Sequence, residues 1–226
     1  MKKIIGASII FSLVFSTSAE VKAEWLKDQQ GKWVYYENIS NQLSYGNNKL
    51  VVQPIKLPQY YQADARWGDK RYGISNLRIT GCVPTSLAMV ISGLVKDVTP
   101  VQVADYIYDT TLEMNTTFMG TSSIGACDAI TYWGLRYQVI ASKEDLIAAL
   151  KDGKIVYGAV GHGLFVKGYS THAIILSGYD HGKTKAIDPD NMEKTNRWYS
   201  VDDIWNERSL ELEDNAVGGP FMAVYK

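Results

Sequence analysis

Cysteine and histidine are scarce in this chain of 226 residues, which holds only two of the former and three of the latter. Two cysteines allow at most one disulfide, Cys82 with Cys127, and that bridge would silence either thiol as a nucleophile. The histidines (His162, His172, His181) and the cysteines show no zinc-ligand spacing, so no metal site is expected. His162 and His181 stand in Gly-flanked loops and read as loop residues rather than ligands. Gly161 and Gly163 are too close together for a phosphate loop and lack a Rossmann context. Basic and acidic residues number 23 and 24, so nothing points to a nucleic-acid partner. After the N-terminal segment no apolar run reaches membrane-spanning length.

What is present begins with Lys2 and Lys3, followed by an apolar run from Ile4 to Ser18. Val21-Lys22-Ala23 then offers small residues at the two positions a signal peptidase reads. The pattern is that of a secretory signal peptide, residues 1–23, cut before Glu24. The run is short for a membrane anchor, and no cysteine lies near the cut to carry a lipid. Removing Lys2, Lys3, Lys22 and Glu20 leaves 20 basic and 23 acidic residues, a net charge near −3. The expected location is extracellular, with no membrane contact after cleavage.

Residues 24–50 have a texture of their own. Trp25, Trp33, Tyr35 and Tyr36 lie around a Gly31-containing turn, with Tyr45-Gly46 further on, which describes an aromatic hairpin. A lone hairpin is marginal in water, so it must pack on something or belong to a repeat. Its spacing resembles one unit of the choline- or glucan-binding repeats of bacterial surface proteins. That resemblance implies a cell-wall polysaccharide or choline contact through Trp25, Trp33, Tyr35 and Tyr36. Ligand sites in such repeats form between units, and only one unit is evident, so a hairpin that simply packs on the main domain is the alternative. Asn38-Ile39-Ser40 and Asn115-Thr116-Thr117 match a glycosylation pattern, which means little on a bacterial surface protein.

From residue 51 to 226 the chain reads as one domain. Val51 to Lys56 is a link into the aromatic segment Leu57 to Gly68. Leu87, Val90, Ile91 and Leu94 recur at helical spacing behind Pro84, whose missing N–H is harmless in a first turn. Thr99-Pro100 caps a second helix with an apolar face of Val103, Ala104 and Ile107. A third covers Ser123 to Trp133 and stops at Gly134. A fourth opens at Ser142, with Asp145 where a capping box usually has Glu or Gln. Strands are expected over 137–140, 155–160, 172–179, 184–187 and 221–225, and a short helix from Ser200 to Trp205. Helices first and a mostly antiparallel sheet afterwards make the fold class α+β.

The chemistry sits where these elements begin. Cys82, in Thr80-Gly81-Cys82-Val83-Pro84-Thr85-Ser86, stands at a helix start, where unpaired N–H groups and the helix dipole favour thiolate over thiol. His172 opens an apolar strand, and Asp188 follows a β-like run and is held extended by Pro189. A Cys, then a His, then an acid that orients the His is the order expected of a cysteine hydrolase. Asp180 and Asp190 compete with Asp188 for the orienting role. Cys127, inside an apolar helical pattern, reads as a small buried hydrophobe.

Asp64-Ala65-Arg66-Trp67-Gly68, Tyr72-Gly73, Gly81 to Val90, Thr99-Pro100, Val103-Ala104 and His172 to Asp180 together resemble the secreted C39-like cysteine peptidase family, over about residues 57 to 226. The resemblance implies a papain-like fold, with Cys82 as nucleophile, His172 as base, Asp188 as orienting acid, a peptide or protein substrate and no cofactor. It also implies an upstream glutamine as second oxyanion donor beside the Cys82 backbone N–H: Gln62, with Gln59 as the alternative. Val83 departs from the family, which usually has Gly after the nucleophile; a β-branched neighbour narrows a cleft and could change substrate choice or weaken activity. Two other readings stay open. One is a peptidoglycan amidase or acyltransferase using the same residues. The other is a non-catalytic cell-surface binder that keeps the fold.

Overall fold

The computed structural model describes residues 51–226 in full except Tyr169, and strand backbone alone over 23–27, 33–37, 43–46 and 49–50. Residues 1–22, nearly all of the expected signal peptide, lie outside the described residues. The chain divides into two units, residues 1–41 and 42–226.

In the first unit, β1 (Ala23–Lys27) pairs antiparallel with β2 (Trp33–Glu37). Trp25 lies opposite Tyr35 and Lys27 opposite Trp33, whereas Tyr36 lies opposite Glu24. Strand alternation therefore puts Tyr36 out of phase with the register positions of Trp25, Trp33 and Tyr35.

The second unit runs β3 (Leu43–Gly46), β4 (Lys49–Val52), β5 (Arg71–Tyr72), β6 (Ser75–Asn76), α1 (Leu77–Thr80), α2 (Cys82–Leu94), α3 (Pro100–Thr110), α4 (Ser123–Tyr132), β7 (Arg136–Val139), α5 (Lys143–Lys151), β8 (Ile155–Val160), β9 (His172–Asp180), β10 (Lys183–Ile187), β11 (Arg197–Ser200), α6 (Val201–Asn206) and β12 (Phe221–Tyr225). The main sheet has the order β11-β10-β9-β8-β12-β7, every pairing antiparallel. The class is α+β. Tyr45 and Gly46 form a second hairpin with Leu50 and Lys49 rather than extending the first. Val51 and Val52, expected as a link, pair with Asp180 and Tyr179 on β9.

Both faces of the sheet are covered. Ile155, Tyr157, Ile175, Met222 and Val224 face the core made by α2, α3 and α4, while Val156, Ile174, Leu176, Phe221 and Ala223 face the one made by α5 and α6. Each strand changes side at every residue, so a continuous apolar run serves two cores. Helix α2 is buried from Val83 to Ile91, as a central helix must be.

Local chemistry sets the helix starts. Thr99 and Gln102 form a reciprocal capping box ahead of Pro100. At α5, Ser142 Oγ accepts from Asp145 N at 3.1 Å, and the Asp145 carboxylate takes the Ser142 hydroxyl at 2.7 Å. The shorter acid thus closes on the cap's side chain, where a Glu would reach its backbone. Helix α1 was not expected; its cap is Asn76, whose side chain accepts from Ile79 N. Gly81 joins α1 to α2 because nothing larger fits: a Cβ there would lie 2.3 Å from Leu77 O.

Candidate active site

The turn α1–Gly81–α2 delivers Cys82 as the first helical residue, its first-turn amides lacking helical acceptors. One turn on, Ser86 Oγ donates to Ala173 O at 3.4 Å, bridging 87 residues. That bond ties the Cys82 helix to the strand residue next to His172, and the two functional side chains meet.

His172 Nε2 lies 2.7 Å from Asp188 Oδ1, with the imidazole 12% exposed and the carboxylate 1%. The other ring nitrogen, Nδ1, is left for the sulfur, and Cys82 and His172 line one cavity. Burial opposes a charge on the imidazole. The hydrogen bonds to Asp188 and Cys82 and their charges outweigh it, raising the His172 pKa to about 10. Asp188 is itself fixed: Oδ1 also accepts from Asp190 N at 2.9 Å and Asn191 N at 3.1 Å, and its backbone exchanges hydrogen bonds with Thr195 Oγ1.

The competing acids sit elsewhere. Asp180 pairs with His181, and Asp190 is exposed, giving Asp188 only its backbone N–H. Gln62 is buried, and its backbone N–H donates to Pro189 O at 2.8 Å, beside Asp188. Its Nε2 donates to Arg78 O at 2.9 Å, four residues before Cys82, and the side chain does not line the cavity. Gln59 accepts only from the Tyr61 hydroxyl at 3.3 Å.

Cys82 and Cys127 are both free. Cys127 Sγ is buried 3.1 Å from Met222 Sδ, and burial pushes its pKa up to about 11 against a hydrogen bond with Tyr137. His162 Nδ1 accepts from Gly168 N in a loop. Among the described residues no cluster of His, Cys, Asp and Glu is arranged to hold a metal ion. No described helix is long and apolar enough to cross a membrane.

Cys82 and His172 line a cavity of about 530 Å³, within the range of small-ligand and peptide clefts. Val83 also lines it, and at 3% exposure its branched side chain belongs to the core more than to the opening. Two further walls escaped the sequence. One is the loop Met114 to Thr121, closed by a bridge between its ends and pinned by Asn115. The other is the acidic stretch Glu211, Glu213 and Asp214. Asn115 is fully buried with φ +50, so the glycosylation pattern that includes it is unusable in the folded chain. The available signals were a polar Ser86 on an otherwise apolar helix face and the closely spaced acids Glu211, Glu213 and Asp214.

The sequence model of the Peptidase_C39 like family matches residues 54–211. A comparison with curated proteins finds no match. Solved structures similar to this chain include one described as a C39-like peptidase from Bacillus anthracis (17% identity, 65% of this chain and 88% of that one, TM-score 0.48). The peptidase domain of Streptococcus ComA, a bifunctional ABC transporter, is 18% identical over 65% and 90% of the two chains, with a TM-score of 0.45. A double glycine motif protease from an AMS/PCAT transporter, solved with a leader peptide, is 15% identical over 76% and 93%, with a TM-score of 0.47.

Proposed function

The chain belongs to the Peptidase_C39 like family and is a cysteine peptidase with a papain-like arrangement of helix on sheet, and from that premise we propose that it is a secreted thiol hydrolase of peptide bonds acting through Cys82, His172 and Asp188. The observation that carries the proposal is a buried imidazole held 2.7 Å from Asp188 Oδ1 on the wall of the cavity that Cys82 also lines.

In this reading the sulfur attacks the scissile carbonyl while His172, charged, faces the leaving nitrogen. The carbonyl oxygen becomes an oxyanion, met by the Cys82 backbone N–H. His172 gives its proton to the amine, the C–N bond breaks, and a thioester remains. Water then attacks the thioester, His172 takes its proton, the C–S bond breaks, and the acid product leaves. Asp188 keeps Nε2 bonded, so that Nδ1 is the nitrogen exchanging protons with sulfur and substrate. Secretion rests on the N-terminal basic-apolar-small pattern. The β1–β2 hairpin serves as a wall contact through Trp25, Trp33 and Tyr35. Binding to purified cell walls that persists in Cys82→Ala and is lost in Trp33→Ala supports that contact, and no binding by the intact protein removes it.

Labelling with an electrophilic peptide probe tests the site. The wild type should label stoichiometrically, Cys82→Ala should not label, and His172→Ala should label at least tenfold more slowly. Equal rates in wild type and His172→Ala would refute the pairing. Parallel incubation with proteins and with cell-wall fragments, read by mass spectrometry, identifies which amide is cut.

A further inference from the structure

The cavity beside Cys82 carries an uneven charge. Its lining includes Glu211, Glu213 and Asp214 but no lysine or arginine, and His172 is its single basic residue. None of the ion pairs among the described residues involves these three acids.

This acidic wall is held in place. Ser209 N donates to Ala159 O at 3.0 Å, fixing the start of the loop to β8. Ser123 donates twice to Glu213 O, through N and Oγ, each at 2.9 Å. Asn215 Nδ2 donates to Ser209 O at 3.0 Å and Glu211 O at 2.8 Å. The Asp214 carboxylate accepts from Ser209 Oγ at 2.6 Å, and Thr171, the neighbour of His172, lines the same cavity. Burial raises the Asp214 pKa, its hydroxyl partners lower it, and the charges of Glu211 and Glu213 raise it again, so the three carboxylates feel one another.

A second feature is independent of charge. Thr121, from the loop that forms the other unexpected wall, lines the same cavity. Its Oγ1 is buried without a hydrogen-bond partner and its side chain is 5% exposed. A buried hydroxyl without a partner is costly unless a ligand supplies one. Ile79 and Met119, both more than half exposed, add apolar surface at the opening.

We propose that the cleft selects peptides carrying a lysine or arginine close to the scissile amide. The proposal rests on the thiol-hydrolase reading above. The cation of such a residue meets carboxylates in a partly enclosed space, where attraction is stronger than at an open surface. Its aliphatic stem lies along Ile79 and Met119. A substrate amide N–H or ammonium gives Thr121 its partner. An acidic residue at the same place is repelled.

The test is a set of fluorogenic peptides in which each position within four residues of the cut is Lys, Arg, Gln or Glu in turn. With the full chain, kcat/KM for the best Lys or Arg peptide should exceed its Glu counterpart by at least about tenfold. The ratio should approach one in Glu211→Gln/Glu213→Gln and stay unchanged in Glu144→Gln, an exposed acid on α5. Binding of the same labelled peptides to Cys82→Ala gives a readout without chemistry, with the same order and a loss of preference in high salt. Equal cleavage of Lys and Glu peptides, or a ratio untouched by the double variant, overturns the proposal and leaves the hydrolase reading intact. Charge-selective binding with no cleavage of any peptide supports the acidic wall and overturns the hydrolase reading. No selective binding and no cleavage overturns both.

Discussion

Asp188 Oδ1 serves three donors at once, the His172 imidazole at 2.7 Å and the backbone N–H groups of Asp190 and Asn191. All three bonds converge on one oxygen, so an amide oxygen in its place can accept them all. Asp188→Asn should therefore keep the ring oriented and lose only charge, costing about tenfold in kcat/KM. Asp188→Ala removes the acceptor and should cost about 10²- to 10³-fold. The His172 pKa, followed by NMR, should fall in both variants. An Asn variant as damaged as the Ala variant would mean that charge, not orientation, is what Asp188 supplies.

Stability should depend on pH through the same imidazole. Its folded pKa, with burial overcome by Asp188 and Cys82, stands at about 10, above the ordinary 6.5. A raised value means that the protonated form favours the folded state. The contribution is complete below about pH 6.5 and is lost as pH rises through about 10, on the order of a few kcal/mol. Denaturant midpoints measured across that window should decline in the wild type, with a flatter profile in His172→Gln. A wild-type midpoint that rises through the window would contradict the sign.

Gly81 is the hinge on which Cys82 is set. A methyl group there meets Leu77 O at 2.3 Å, a backbone atom that cannot swing aside. Gly81→Ala should destabilise by about 1–3 kcal/mol. It should also slow probe labelling of the fraction that remains folded, because α1 and α2 must separate. Urea denaturation and labelling on the same sample check both effects.

Asn115 holds the cleft loop in shape. Its Nδ2 donates to Thr80 Oγ1 at 2.9 Å, its Oδ1 accepts from Gly120 N at 2.8 Å, and its backbone is left-handed. Asn115→Ala loses both bonds and keeps the strain, for about 2–4 kcal/mol in total. Asn115→Gly relieves the strain alone and should be the milder change. Because the loop walls the cavity without touching Cys82 chemistry, KM should rise more than kcat falls.

The two thiols should differ in chemistry. Cys127 is buried against Met222, its pKa pushed up to about 11 by burial, whereas Cys82 opens on the cavity. Iodoacetamide near neutral pH should add one equivalent, located on Cys82 by peptide mapping. Modification of Cys127 in the native protein at a comparable rate would show that the core opens readily.

Elements announced by local chemistry were legible in the sequence. Thr99-Pro100, Ser142 and the turn at Gly134 mark helix ends through bonds made within a few residues. The alternation of β8, β9 and β12 was less informative, because both faces are buried and a continuous apolar run hides its period. The four residues of α1 carry no periodicity at all; only their clash with a side chain at residue 81 requires the turn. Strand β11 is short, with Arg197 and Trp198 exposed and Tyr199 and Ser200 half-buried, and its existence depends on β10. His172 and Asp188 could be named from order and from Pro189. The acidic wall and Asn115 could not, since their placement is decided by tertiary bonds from Ser123, Ser209 and Thr80.

The position of β12 between β8 and β7 has a consequence for timing. Until residues 221–225 slot in, β7 has no partner in the sheet bearing His172, and Cys82 is joined to that sheet by a bond that spans 87 residues. A chain cut short of Phe221 holds every residue of the proposed triad but lacks the strand that carries Phe221, Met222 and Val224 into the two cores on either side of the sheet.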